Sequence, residues 1–264
     1  MLILKNVHKT FNAGTVNEKH ALNGVDLTLN DGDFVTVIGG NGAGKSTMLN
    51  AVAGAWPIDQ GEITIDGIKL NHLPEHKRAK YIGRVFQDPM MGTAADMWIE
   101  ENLALSLRRG KIRTLMPGIT GKERAMFKDK LAILGLGLEE RLTSKVGLLS
   151  GGQRQALTLL KASLKKPKLL LLDEHTAALD PKTAAKVLEA TDRIVSRDNL
   201  TTIMITHNMK DAIAHGNRLI MMNEGRIILN ISGEEKKKLT VEDLLRQFEK
   251  VSGEQFASDK ALLG

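Results

Sequence analysis

The stretch GGNGAGKST, residues 39–47, has chemistry that can be read directly. Gly39, four intervening residues, then Gly44-Lys45-Ser46 is the spacing of a loop that wraps phosphate. Glycines let the backbone curl around an anion, and the N–H groups of the loop and of the following helix start point positive charge at it. Candidate phosphate contacts run over Gly39, Asn41, Gly42, Ala43, Gly44, Lys45, Ser46 and Thr47. Lys45 suits the β- and γ-phosphates, and the Ser46 hydroxyl suits Mg²⁺. KLLLLDEH, residues 168–175, supplies the acids. Its run of leucines marks a strand buried on both faces. Ligands gather at the carboxyl ends of parallel strands, where Asp173 and Glu174 fall. Asp173 is placed to hold Mg²⁺ and Glu174 to polarise an attacking water. TTIMITH ends a third such strand in His207, a candidate γ-phosphate contact. IGRVFQ ends in Gln87, a strand-end amide that either coordinates Mg²⁺ or caps the next segment.

LSGGQ, residues 149–153, is a second glycine turn running into a helix, and it has no lysine. One nucleotide does not need two cradles. Ser150, Gly151, Gly152 and Gln153 are read as a surface offered to phosphate bound by a second copy of the chain.

The elements that must position these residues follow from periodicity. The first third alternates as short strands with tight turns. From about residue 90 to 165 the pattern is helical, in IEENLALSL, KERAMFKDKLAILGL and GGQRQALTLLKASL. Strands return at KLLLLDE and LTTIMITH, separated by a helix opened by Pro181. NRLIMMNEGRIILN reads as a hairpin turning at Asn223-Glu224-Gly225. A charged helix then begins with a capping box from Thr240 to Asp243. The organisation expected is an α/β core over 1–89 and 161–239, a helical subdomain over 90–160, and a C-terminal helix and tail over 240–264.

Composition narrows the class. Apolar content of 42% supports a real core, and the absence of cysteine excludes disulfides and thiolate metal sites. No signal peptide and no membrane-length apolar run is visible, so the chain reads as soluble and cytoplasmic. A net charge of +6 permits anionic partners, but 3% aromatics leaves few stacking platforms, and no nucleic acid is expected. The basic stretch 108–124 reads as a solvated loop or a lipid-headgroup contact.

Taken together, GGNGAGKST, Gln87, LSGGQ, LLLLDE, AALD ending in Asp180, and His207 occur in an order that resembles the ATP-binding subunits of ABC transporters. The likeness runs from about residue 2 to 235. It implies a P-loop α/β core with an antiparallel β subdomain and an inserted helical subdomain. The implied activity is ATP hydrolysis with ATP and Mg²⁺, in a head-to-tail homodimer at the cytoplasmic face of the membrane. The implied partners are an integral membrane permease and an extracytoplasmic substrate-binding protein. Within it, Glu174 takes the catalytic-carboxylate position, with His207 and Gln87 as further catalytic residues. Ser46, Gln87 and Asp173 take the metal positions, and Asp180 the D-loop. Phe11 falls where the family stacks a ring on adenine, or else belongs to the core. A soluble family member without a permease, of the cofactor-assembly type, is the alternative.

The sequence departs from the family twice. His175 stands where proline usually follows the catalytic carboxylate; DEHTAALDPKTA resembles importers paired with a tryptophan/tyrosine-type binding protein. Trp98 stands where Thr usually opens a helix, which should lose the capping box to Glu101 at a cost of about 1 kcal/mol. Met90, Met91, Met97 and Trp98 form either a permease-docking surface or subdomain core.

Lys45→Ala should abolish ATP hydrolysis and weaken ATP binding. Steady-state turnover checks it, and a wild-type rate would remove the phosphate-loop reading.

Overall fold

The computed structural model describes residues 1–110 and 118–252. Residues 111–117 of the basic stretch 108–124 and the tail beyond 252 therefore lie outside the described residues. The chain divides into two compact units, Met1–Tyr81 with the chain from Thr201 onward, and Ile82–Leu200.

The first unit opens with strands β1 (Leu2–Phe11) and β2 (Lys19–Leu29). Strand β3 (Phe34–Ile38) is buried at every position and runs into helix α1 (Lys45–Ala53). Strands β4 (Gln60–Ile65) and β5 (Ile68–Lys69) and the short helix α2 (Glu75–Arg78) follow. An antiparallel sheet takes the order β2-β1-β4-β5, with Leu2, Leu4 and Val7 inward. At the far end of α1, the buried Arg78 guanidinium donates to the carbonyls of Ala51 (2.7 Å) and Val52 (2.9 Å). A cation on the last carbonyls complements the helix dipole and pins the phosphate-loop helix from behind.

The second unit contains β6 (Ile82–Val85), α3 (Ile99–Leu107), α4 (Gly121–Ala132), α5 (Gly151–Ser163), β7 (Leu169–Asp173) and α6 (Pro181–Asp198). Strands β6 and β7 pair in parallel. The helical pattern expected after Gln87 is realised as α3, α4 and α5. Trp98 does not lose the whole capping box. An indole has no acceptor to offer the helix, but the Trp98 N–H still donates to Glu101 Oε2 at 2.7 Å, so the half carried by Glu101 survives. The half-buried Lys161 ammonium on α5 donates to the carbonyl of Gly92 (2.7 Å) and to Asn102 Oδ1 (2.9 Å). Burial pushes its pKa down to about 8, so it is still charged at neutral pH and binds both acceptors as a cation.

The first unit resumes with β8 (Thr202–Ile205), α7 (Met209–Ala214), β9 (Arg218–Asn223), β10 (Arg226–Ser232), α8 (Gly233–Lys238) and α9 (Val241–Ser252). Within this unit the strand order is β10-β9-β3-β8, with β3 parallel to both neighbours. The β9–β10 turn is the expected one, with φ of 46° at Glu224 and 73° at Gly225. The Thr240–Asp243 capping box forms in both directions, at 3.2 and 3.0 Å. Helix α9 is more than a charged appendage: Leu244 and Phe248 are buried in one cluster with Ile38 and Met209. Ile38 precedes the phosphate loop and Met209 follows His207, so α9 buttresses both.

Phe248→Ala should therefore cost about 3–5 kcal/mol, as for other buried aromatic truncations. Chemical denaturation checks this, and a midpoint unchanged from wild type would mean α9 contributes no packing.

Candidate nucleotide site

In the first unit the phosphate loop is held by close backbone approach. Gly44 has a φ of 101°, and a side chain there would meet the Ala21 carbonyl at 2.5 Å. Gly39 lies against the Met222 carbonyl in the same way. Only glycine meets both demands. The Lys45 ammonium is buried and donates to the carbonyls of Gly39 (2.6 Å) and Gly40 (3.0 Å), which fixes it across the loop. Asn41, Gly42 and Ala43 form the loop, and Ser46 and Thr47 lie in the first turn of α1.

His207 comes to the same sheet edge by register. Val37 pairs with Ile205 in parallel, and two residues beyond each lie Gly39 and His207. The Thr206 N–H donates to the Val37 carbonyl at 3.2 Å, which continues the pairing one residue past β8. Asn208 then caps α7, accepting from the N–H groups of Lys210 (2.8 Å) and Asp211 (3.2 Å), and turns the chain away after His207.

Phe11, at the end of β1, is half-buried and is not part of the core. Its ring meets Trp56 edge-on, with centroids 4.9 Å apart. Trp56 was not singled out in the sequence, because a lone Trp after a helix has no spacing signal.

In the second unit the same register logic gathers the acids. Val85 pairs with Leu172, and two residues beyond each lie Gln87 and Glu174. Gln87 is exposed, while Asp173 and Glu174 are half-buried. Arg84 Nη2 lies 3.5 Å from Asp173 Oδ2, and its guanidinium stacks over Phe86 at 4.5 Å. Sequence reasoning missed Arg84, although a charge inside the apolar strand IGRVF was a signal. Glu174 has a φ of 46°, the left-handed region, which costs a non-glycine residue on the order of 1–3 kcal/mol.

The LSGGQ turn is the N-terminus of α5. Ser150 caps it: its Oγ accepts from the Gln153 N–H (3.3 Å), and the Gln153 side chain accepts from the Ser150 N–H (3.2 Å). Any Cβ on Gly152 would collide with the Thr183 methyl of α6, so the second glycine is required by helix packing. Ser150, Gly152, Gln153, Thr183, Lys186 and Val187 line a cavity of about 320 Å³ together with Gly135 and Leu136. Gly151 lies on the same first turn of α5. Asp180 caps α6, accepting from the Thr183 N–H at 3.1 Å, and hydrogen bonding with Thr183 holds its carboxyl below the usual range.

Met90, Met91 and Trp98 are exposed by 57%, 68% and 42%, so the core reading fails for these three. Trp98 and Met97 border a second cavity of about 430 Å³ with Leu105, Arg108 and Arg124. Among the described residues no helix is long and apolar enough to cross a membrane.

A family model described as ABC transporter matches residues 22–177. A tyrosine transport ATP-binding protein from Clostridioides difficile is 45% identical over 249 residues, covering 94% of this chain and 99% of that protein. The spermidine/putrescine import ATP-binding protein PotA of Haemophilus influenzae is 34% identical over 85% of this chain, which spans 56% of that longer protein. The dimeric post-hydrolysis structure of the ATP-binding cassette MJ0796 from Methanocaldococcus jannaschii, bound to ADP and Pi, matches with a TM-score of 0.72 at 32% identity, over 88% of this chain and 98% of that one. The family model covers more than half of the chain, and its motifs lie on the strand ends and helix starts described above. The chain belongs to the ABC transporter family, as an ATP-binding cassette whose reaction is ATP hydrolysis.

Proposed function

We propose that this chain is the ATP-hydrolysing subunit of a bacterial importer for an aromatic amino acid. The observation that carries the substrate class is the 45% identity to a tyrosine transport ATP-binding protein over nearly the full length of both chains. In this reading the chain works as a homodimer at the cytoplasmic face of the membrane, with an integral membrane permease and an extracytoplasmic substrate-binding protein.

The residue roles follow from the chemistry of each group. Backbone N–H groups of Gly42 to Thr47 and the start of α1 take the phosphates, Lys45 neutralises the β- and γ-oxygens, and Phe11 stacks on the adenine. Ser46, Gln87 and Asp173 offer only hard oxygen donors, the kind Mg²⁺ prefers. Among the described residues no group of three or more His, Cys, Asp or Glu could hold a metal, and a Mg²⁺ shared with substrate phosphates needs no such cage. Bound Mg²⁺ would neutralise charge on the β- and γ-phosphates. Glu174 accepts the proton of the attacking water as its oxygen bonds to the γ-phosphorus and the bond to the ADP oxygen breaks. His207 donates a hydrogen bond to the γ-phosphate. From the second copy come the Ser150 hydroxyl, the Gly151 and Gly152 N–H groups, and Gln153, which keeps Ser150 oriented. Asp180 orders the turn between the two copies. Such catalysis is mostly positioning and electrostatics, and closure of the dimer assembles it.

Permease docking falls to the exposed Met90, Met91 and Trp98, since soft Met and Trp side chains suit irregular partner surfaces. Met91 is 68% exposed, so Met91→Glu should change stability by no more than about 0.5 kcal/mol and leave basal ATPase near wild type. It should lose co-purification with the permease and tyrosine uptake. Full co-purification by a normally folded Met91→Glu chain would move the docking surface elsewhere. Robust ATP-driven activity with no membrane association of the wild type would favour the permease-free alternative.

A further inference from the structure

We infer that His175 is a positioning residue for Glu174, acting through a hydrogen bond to Thr191 on α6; this rests on Glu174 being the catalytic carboxylate. His175 follows Glu174 directly in the chain and is 1% exposed. Its Nε2 lies 3.1 Å from Thr191 Oγ1, which is also buried. The Thr191 hydroxyl has one hydrogen. It lies 2.8 Å from the Val187 carbonyl oxygen, one helical turn back, and that oxygen can only accept. The hydroxyl oxygen therefore accepts from His175, and Nε2 carries the hydrogen. The imidazole is a donor with a fixed direction, held by α6.

The clamp matters because of the backbone it adjoins. Glu174 sits at a φ of 46°, a conformation that a non-glycine residue leaves unless its neighbours hold it. On one side β7 is locked in its sheet. On the other the turn is closed by the Ala177 N–H on the Glu174 carbonyl (3.0 Å) and the Leu179 N–H on the Thr176 carbonyl (3.1 Å). These bonds shape the turn but do not tie it to the body of the unit. The His175–Thr191 bond ties it to α6 through a side chain. Loss of this bond removes one restraint on the strained Glu174 backbone, and its carboxylate shifts from the water it must deprotonate. Thr191 also shares a face of α6 with Thr183 and Val187, residues eight and four positions earlier that border the cavity beside Ser150. One helix face thus touches the LSGGQ turn at one end and orients the Glu174 turn at the other.

A buried histidine that only fills space makes a different prediction, and Thr191→Val separates the two. Valine keeps the shape of threonine and removes the acceptor. Thr191→Val should lower kcat for ATP by roughly ten- to hundredfold, the scale expected for a misplaced catalytic group. The KM for ATP should not change, because no residue of the phosphate loop is disturbed. Thr191→Ser should restore kcat, and His175→Gln, which keeps a donor of similar reach, should restore more of it than His175→Phe. In ¹⁵N-histidine-labelled protein, the signal of the Nε2-protonated His175 should be present in the wild type and shift in Thr191→Val. Glu174→Gln is measured in the same assay. If Glu174→Gln is inactive while Thr191→Val turns over at the wild-type rate, the positioning role is overturned and the carboxylate assignment stands. If Glu174→Gln itself hydrolyses ATP at the wild-type rate, both fall. A folded Thr191→Val chain whose kcat loss is not rescued by Thr191→Ser would also overturn it.

Discussion

Two parallel strand registers set where the candidate catalytic groups at the strand ends lie. Val37 beside Ile205 makes Gly39 and His207 emerge together, and Val85 beside Leu172 does the same for Gln87 and Glu174. Parallel strands leave their sheet in the same direction, so residues far apart in sequence arrive at one edge without any dedicated contact between them. A one-residue slip in either register would part these pairs and draw a polar end residue such as Asp173 into the buried run. The full burial of β3 and of Leu169 to Leu172 makes such a slip expensive, because each inward position is already filled by an apolar side chain. The hydrophobic effect thus fixes the register, and the register places the polar groups.

Helix α6 performs a second kind of positioning in the Ile82–Leu200 unit. Its N-cap Asp180 terminates the turn that begins at Glu174, and its Thr183 methyl occupies the notch left by Gly152. The glycines of LSGGQ consequently serve two masters. They leave backbone N–H groups open at the start of α5, and they let α5 approach α6 closely. The Ser150–Gln153 capping box adds a third constraint, since both side chains are already committed to ordering the helix start. An anion arriving there meets a turn organised in advance, which reduces the ordering cost of binding.

Much of this was legible in the sequence because the functional residues sit at strand ends and helix starts, where glycine, charge and apolar runs change abruptly. GGNGAGKST, KLLLLDEH and LSGGQ are such boundaries, and the helices and strands around them appear where the periodicity put them. What was not legible depends on tertiary contact. The donation of Arg78 to the end of α1, the proximity of Arg84 to Asp173, and the edge-on pairing of Trp56 with Phe11 join residues with no shared periodicity. The half-retained capping box at Trp98 was misjudged because the backbone N–H of Trp98, unlike its side chain, is available whatever residue stands there. Helix α9 was read as a charged helix, since its charged residues outnumber the apolar pair, Leu244 and Phe248, that carries its burial.

We propose that the LSGGQ turn of one copy completes the ATP site of another. The most direct measurement is the mass of the Glu174→Gln chain with ATP and Mg²⁺, read by size-exclusion chromatography with light scattering. With Glu174 as the base, Glu174→Gln should stop hydrolysis while leaving closure intact, so ATP should convert monomer to a stable dimer. Adding Ser150→Arg, which fills the turn with a bulky side chain, should return the protein to monomer without abolishing ATP binding at the phosphate loop. A Glu174→Gln chain that binds ATP and stays monomeric, or a dimer indifferent to Ser150→Arg, would contradict the claim.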